Sequence, residues 1–186
     1  NALTREIDEV IIVIGYKGEM IRRFFGNSYG DKQIHYVVNK DISRGNAHSL
    51  MLTRSHFNFG ERFLLIYADE LVTKSEVRKC LKHKFSWLSR YADIPEKSAV
   101  ATITRGRIIE VKEKPKRPAS NLVVGGMMVI NSDIFDCKPS RHRNGEYYVT
   151  SMMSRFLKSR VVMSMPGKNN LYFTTKQDVD KYNKGR

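Results

Sequence analysis

The strongest constraint on how this chain can fold lies near its start. A β-branched apolar run, Glu9 to Gly15 (EVIIVIG), passes without a linker into Lys17 to Phe25, where Met20, Ile21, Phe24 and Phe25 recur at helical spacing. An apolar run without polar alternation reads as a buried parallel strand, and the shift to a period near 3.6 reads as a helix packed on it. The unit repeats. Ile34 to Val38 reads as a strand, Gly45 to Phe57 as a helix with Ala47, Leu50, Met51 and Phe57 inward and Ser43 as N-cap, and Phe63 to Ala68 (FLLIYA) as a third strand.

Farther along, the order shifts from alternation to consecutive strands. A helix is expected over Ser75 to His83, with strands over Ser98 to Thr104, Ile108 to Val111 and Val123 to Ile130. Tyr147 to Leu157 reads as an amphipathic helix with Tyr148, Val149, Met152, Met153, Phe156 and Leu157 inward. Short strands are expected at Val161 to Met165 and Leu171 to Thr174, with Thr175 capping a last helix through Tyr182. The sum is an α/β chain built on an open, mixed, mostly parallel sheet flanked by helices. No repeat or Pro/Gly/Ser linker divides residues 1–186, so one domain is expected.

Composition narrows the function classes. No apolar run reaches membrane-spanning length, and the start, NALTREIDEVIIVIGY, has acidic residues where a signal peptide needs a basic flank. Cys80 and Cys137 lie far apart without metal-binding spacing, and there is no glycosylation sequon. A reduced, cytoplasmic setting and no membrane partner are expected. The formal charge of +14 is spread along the chain rather than gathered in a tail. It is compatible with a solvated lysine-rich surface or a field that attracts phosphates, and least with dedicated nucleic-acid binding.

Several residue patterns carry chemistry. Residues 111–131 read VKEKPKRPASNLVVGGMMVIN, where Glu113 and Lys114 set an acceptor beside a cation. Pro115 and Pro118 stiffen the loop, and Gly125-Gly126 removes side chains where a ligand could approach the backbone. A carboxylate grips hydroxyls and an ammonium grips a phosphate; two solvated charges in a basic run are the plainer alternative. Asp69 follows FLLIYA directly, at the carboxyl end of a strand where open α/β sheets bind ligands. It suits a Mg²⁺ ligand, or equally a turn aspartate. Gly45, Asn46 and Ala47 open a helix whose N–H groups could face an anion or a base edge, or serve only as a helix start. Gly15-Tyr16-Lys17-Gly18 joins a strand to a helix, which favours a turn over a nucleic-acid clamp. The five histidines show no zinc spacing.

The order E-K-P-x-x-P-x-S-N-x-x-x-x-G, from Glu113 to Gly126, resembles the sugar-1-phosphate nucleotidyltransferases, most closely the glucose-1-phosphate thymidylyl- and uridylyltransferase branch. The resemblance spans nearly the whole chain and includes the Asp69 turn, Gly45-Asn46-Ala47 and the run Gly145-Glu146-Tyr147-Tyr148-Val149-Thr150. It implies a Rossmann-like nucleotide-diphospho-sugar transferase fold and transfer of a nucleotidyl group from a nucleoside triphosphate to a sugar 1-phosphate, with pyrophosphate released. By the same resemblance Asp69 holds Mg²⁺, Lys114 binds the sugar phosphate, and Glu113, Asn121, Gly126 and Glu146 line the sugar pocket. Gly45, Asn46 and Ala47 meet the base, and homo-oligomers are common.

Two departures accompany it. Relatives begin with a strand and a G-x-G-x-R-L loop that cradles the triphosphate, whereas this sequence starts after that point, as if truncated by roughly 40 residues, the size of a small supersecondary unit. Loss of that strand is expected to expose Val10 to Ile14 and Phe63 to Ile66 and to leave unpaired edges. The relatives' second metal-binding Asp aligns with Tyr172, a poor Mg²⁺ ligand because its phenol stays protonated near a pKa of about 10; Asn169 or Asn170 could substitute. A catalytically silent, nucleotide-sugar-binding or regulatory module is therefore the alternative to the enzyme.

Overall fold

A computed structural model describes residues 2–167, 173 and 175–184. Its strands are β1 (Glu9–Ile14), β2 (Ser28–Tyr29), β3 (Lys32–Val38), β4 (Arg62–Ile66), β5 (Ser86–Tyr91), β6 (Ala99–Thr104), β7 (Arg107–Glu113), β8 (Leu122–Asn131) and β9 (Val162–Pro166). Its helices are α1 (Gly18–Phe25), α2 (Asn46–Met51), α3 (Lys74–Leu81), α4 (Val149–Phe156) and α5 (Lys176–Lys184). None of the described helices is long and apolar enough to cross a membrane.

The described strands form two sheets, β1-β3-β2 and β4-β8-β5-β9-β7-β6, with an added β8–β6 pairing. The mixed α/β architecture matches expectation, but the pairing does not come out mostly parallel. Only β1–β3 and β5–β9 are parallel, and the other six pairings are antiparallel. The reason is local in part: β6 and β7 are joined by the two-residue turn Arg105-Gly106. Both residues have positive φ, 49° and 75°, as a hairpin turn matched to strand twist demands. β1 and β4 are the end strands of their sheets. Their apolar side chains are only half-buried, apart from Ile14, so β1 is not the fully buried strand its composition suggests.

Strand β8 organises the larger sheet, pairing with β4, β5 and β6. Its side chains alternate between two cores: Met128 and Ile130 join Trp87, Phe135, Met152, Met153 and Phe156, while Met127 and Val129 join Val77, Cys80 and Leu88 on the other face. A strand buried on both faces has no polar alternation, and each fully buried side chain of this size contributes roughly 1.5–3 kcal/mol.

Local chemistry explains other departures from sequence expectation. The helix expected over Gly45 to Phe57 breaks at Met51, where the buried Thr53 hydroxyl donates to the Leu50 carbonyl and competes with helical bonding. Its start is Gly45, held at φ 87°, and Ser43 instead bonds Asp41. On α1, Met20 and Phe24 are 64% and 81% exposed, so the apolar face that the helical spacing marks is not covered there. Strands β2 and β5 escape the sequence reading. Thr73 caps α3 in a box with Glu76, which returns its carboxylate to the Thr73 N–H; Thr175 and Asp178 do the same for α5. The expected strand over Leu171 to Thr174 falls largely outside the described residues.

Thr73→Ala removes the α3 cap and should cost about 1 kcal/mol of stability, read as a lower urea midpoint with an unchanged slope.

Candidate functional site

Strand β7 ends in Glu113, and the chain turns sharply at Lys114, whose φ is 41°. A left-handed conformation is uncommon for a side chain of this size. Here it is fixed on both sides: the Lys114 N–H donates to the Ser98 carbonyl at 3.0 Å, and its carbonyl accepts from Arg143 Nη2 at 3.2 Å. The two side chains consequently leave the strand in different directions and meet different partners.

Glu113 Oε2 accepts from Thr150 Oγ1 at 2.5 Å, on the first turn of α4. Lys114 Nζ donates to Tyr148 Oη at 2.9 Å and lies 4.6 Å from the centre of the Tyr148 ring, so the ammonium has both a hydrogen bond and a cation–π contact. Partial burial works to lower the Lys114 pKa. The Tyr148 bond and the nearby Glu113 and Glu146 carboxylates outweigh it, and the net shift is upward. Lys114 is therefore a committed cation at neutral pH. A groove of about 350 Å³ opens against Glu113, Pro115, His142 and Thr150.

The Gly45 segment is fastened to this same corner. The Ala47 N–H donates to the Tyr147 carbonyl at 3.0 Å and the Tyr147 N–H to the Arg44 carbonyl at 2.8 Å. Asn46 Oδ1 accepts from the Val149 N–H at 2.8 Å and so caps α4 from a distant part of the chain. A Cβ at Gly45 would lie 2.6 Å from the Tyr147 carbonyl oxygen and 3.1 Å from Glu146 Cβ. The three segments 45–47, 113–114 and 146–150 thus converge. Within the first of them, however, the Asn46 carboxamide oxygen and the Ala47 N–H already have internal partners, and Ala47 is fully buried.

Asp69 projects, exposed, from the turn after β4. Tyr67, two residues earlier, ties it to the others: burial raises the Tyr67 phenol pKa well above its usual range, and the Glu113 and Asp69 carboxylates both push it further. The phenol therefore stays protonated between two acidic groups. The Phe173 N–H donates to the Asp69 carbonyl at 2.8 Å, which anchors the C-terminal segment at the same turn. Tyr172, Asn169 and Asn170, considered as second metal ligands, lie outside the described residues.

Gly125 and Gly126 turn out to make room for the protein's own side chains. A Cβ at Gly126 would sit 2.5 Å from the Tyr67 ring, and one at Gly125 would sit 2.5 Å from Glu70 Oε1 and 2.7 Å from Arg90 Nη2. Glu70 and Arg90 form an ion pair with side chains 0% and 3% exposed, and Glu70 Oε2 also accepts the Gly126 N–H. The Gly126 carbonyl takes the Tyr67 N–H at 2.8 Å and the Gly125 carbonyl takes Trp87 Nε1 at 2.6 Å. Both polar groups of the Gly126 backbone are engaged, so it shapes the floor of the site. Asn121 is exposed just before β8, with its carbonyl bonded to the Ala92 N–H.

Sequence reasoning missed four contributors. Tyr148 resembles a core residue of an amphipathic helix, Glu70 a surface charge, Arg90 falls in an unrecognised strand, and Tyr67 reads as strand interior. Only Tyr67 and Glu70 carry a signal, namely their position flanking Asp69.

The Mg²⁺ question turns on the donors at hand. Among the described residues no group of three or more His, Cys, Asp or Glu side chains could hold a metal, and Glu70 is committed to Arg90. What remains is Asp69, an exposed carboxylate with no ion-pair partner among the described residues. That fits a cation which habitually takes one or two protein carboxylates and completes its shell with phosphate oxygens and water.

The family model described as nucleotidyl transferase matches residues 1–170. The UTP--glucose-1-phosphate uridylyltransferase AglF of Haloferax volcanii is 28% identical over 164 residues, covering 82% of this chain and 65% of that protein. The D-glycero-alpha-D-manno-heptose 1-phosphate guanylyltransferase of Aneurinibacillus thermoaerophilus is 29% identical over 139 residues, 71% of this chain and 58% of its own. The chain thus spans less than two thirds of the length of these relatives. The crystal structure of apo UDP-glucose pyrophosphorylase superimposes with a TM-score of 0.79 at 20% identity, over 96% of this chain and 82% of that one, which establishes the shared fold.

Gly126→Ala should destabilise the protein by about 1–3 kcal/mol, because the methyl group overlaps the Tyr67 ring. Combined with Tyr67→Ala, its cost should fall well below the sum of the two single changes in a urea double-mutant cycle.

Proposed function

We propose, from the premise that this chain belongs to the nucleotidyl transferase family, that the protein transfers a nucleotidyl group from a nucleoside triphosphate to a sugar 1-phosphate, forming a nucleotide-sugar and pyrophosphate. The observation that carries the reading is the divergence of Glu113 and Lys114 at the end of β7: adjacent residues present a hydroxyl acceptor and a committed cation at one corner. A sugar phosphate needs both.

In such a reaction a sugar phosphate oxygen attacks the α-phosphorus of the triphosphate and pyrophosphate leaves. No covalent protein intermediate is needed, so the chain's task is alignment and charge balance. Lys114 holds the sugar phosphate. Glu113, with one oxygen fixed by Thr150, accepts a sugar hydroxyl through its remaining lone pairs, and Glu146 supplies a second acceptor. Asp69 would hold Mg²⁺, which when bound offsets negative charge on phosphate oxygens. The Gly45 to Ala47 segment, braced on α4, sets the wall on the base side through its backbone and does not offer Asn46 freely. The two relatives act, by their names, on glucose 1-phosphate with UTP and on a heptose 1-phosphate with a guanylyl donor; those are the first pairs to test. Free Cys80 and Cys137 suit a reducing, cytoplasmic setting.

A silent, ligand-binding module is the second reading, favoured because no group of three or more His, Cys, Asp or Glu side chains among the described residues could hold a metal. Pyrophosphate release by the full-length protein, assayed over a panel of nucleoside triphosphates and sugar 1-phosphates with Mg²⁺, separates the two; thermal stabilisation by ligand without turnover selects the silent module.

Asp69→Asn should lower turnover by about two orders of magnitude or more and leave unfolding within about 0.5 kcal/mol of wild type, as expected for an exposed side chain. Full activity in this variant removes Asp69 from the metal site.

A further inference from the structure

Tyr148 sits at the N-cap of α4, 8% exposed, and its hydroxyl can be accounted for atom by atom. A phenol oxygen has two acceptor lone pairs and one O–H donor. Lys114 Nζ, a donor without acceptor capacity, points at it from 2.9 Å. Asn144 Nδ2 points at it from 2.8 Å. The orientation of that amide is set independently, because Asn144 Oδ1 accepts the Glu146 N–H at 3.2 Å and faces His142 Nδ1 at 2.9 Å. Both lone pairs of the Tyr148 oxygen are therefore taken, and its O–H has no acceptor among the described residues. The ring cannot easily swing away to find one: His142 packs edge-on against it at 5.3 Å and the Lys114 ammonium covers it.

A buried hydroxyl left with only a donor to offer, beside an ammonium that uses one of its three N–H groups on it, is a place for an anion with several acceptor oxygens. The neighbouring carboxylates sharpen the assignment. Glu113 and Glu146 only accept, so they suit hydroxyls and repel phosphate; only the Lys114 and Tyr148 end of the corner donates. We propose that Tyr148 is a phosphate-binding residue as well as the group that positions Lys114: its oxygen holds the ammonium in place, and its O–H donates to an oxygen of the phosphate monoester that Lys114 neutralises. This rests on the sugar 1-phosphate reading for the identity of the ligand, while the donor pair itself is a property of the corner.

The test uses the full-length protein and its Tyr148→Phe variant, which keeps the ring against His142 and beneath Lys114 but removes the hydroxyl. Calorimetric titration with inorganic phosphate and with glucose 1-phosphate should show dissociation constants about tenfold or more higher in the variant, the size expected for loss of a hydrogen bond to a charged group. The KM for glucose 1-phosphate should rise in step while that for UTP stays within about twofold. Tyr147→Phe, which deletes the adjacent hydroxyl, should change neither. Wild-type phosphate affinity in Tyr148→Phe, or an equal loss for UTP and glucose 1-phosphate, overturns the assignment. If phosphate binding falls in Tyr148→Phe while no triphosphate is turned over by the wild type, the donor pair stands and the transferase reading falls. If turnover is observed and Tyr148→Phe matches the wild type, the reverse holds.

Discussion

The buried Glu70–Arg90 pair is the interaction on which the site depends. Taking two charges out of water costs several kcal/mol per ion unless their remaining hydrogen-bonding capacity is met, and part of that capacity is met by the Gly126 N–H. The pair therefore fixes where the middle of β8 runs, and only a residue without a side chain fits over it at Gly125. The same stretch of β8 receives the Tyr67 N–H and the Trp87 indole. One ion pair thereby sets the position of β4's exit turn, and with it Asp69, against the strand that floors the site.

The second constraint is the bracing of α4. Its N-terminus gains a cap from Asn46, and Tyr147 just before it pairs with both Arg44 and Ala47, so the loop carrying Glu146 and Tyr148 is held by a segment distant in sequence. Thr150 then reaches Glu113 and Tyr148 reaches Lys114. The corner is polarised by this arrangement, with acceptors on one side and donors on the other. A ligand carrying hydroxyls at one end and a phosphate at the other meets groups of matching kind without rearrangement of the backbone.

Much of this was legible in the residue pattern, and the exceptions share a cause. Strands built on an unbroken apolar run, such as β4 and β8, announce themselves, as does α4 through its inward Met152, Met153 and Phe156. Strand β5 does not, because its sequence Ser-Trp-Leu-Ser-Arg-Tyr looks like a loop. Its polar members are satisfied internally, Ser86 by the Cys80 carbonyl, Ser89 by Ser164 and Arg90 by Glu70. A burial that depends on a partner in another part of the chain leaves no periodic trace. The glycines were visible as missing side chains, yet what fills the space was not, since Tyr67 and Glu70 arrive from the segment that follows β4. Conversely, α1 shows a clear helical period but keeps Met20 and Phe24 exposed, because periodicity reports which face is apolar and not whether anything covers it.

Lys114 is held in the left-handed region, where a lysine is less comfortable than a glycine by roughly 1 kcal/mol or more. The fold would be at ease with the smaller residue; the ammonium is what the position supplies to a ligand. Any directed evolution of this protein that rewards heat resistance alone will therefore drift toward glycine here, and a tolerance map drawn from such an experiment will mark one of the most consequential side chains in the site as dispensable.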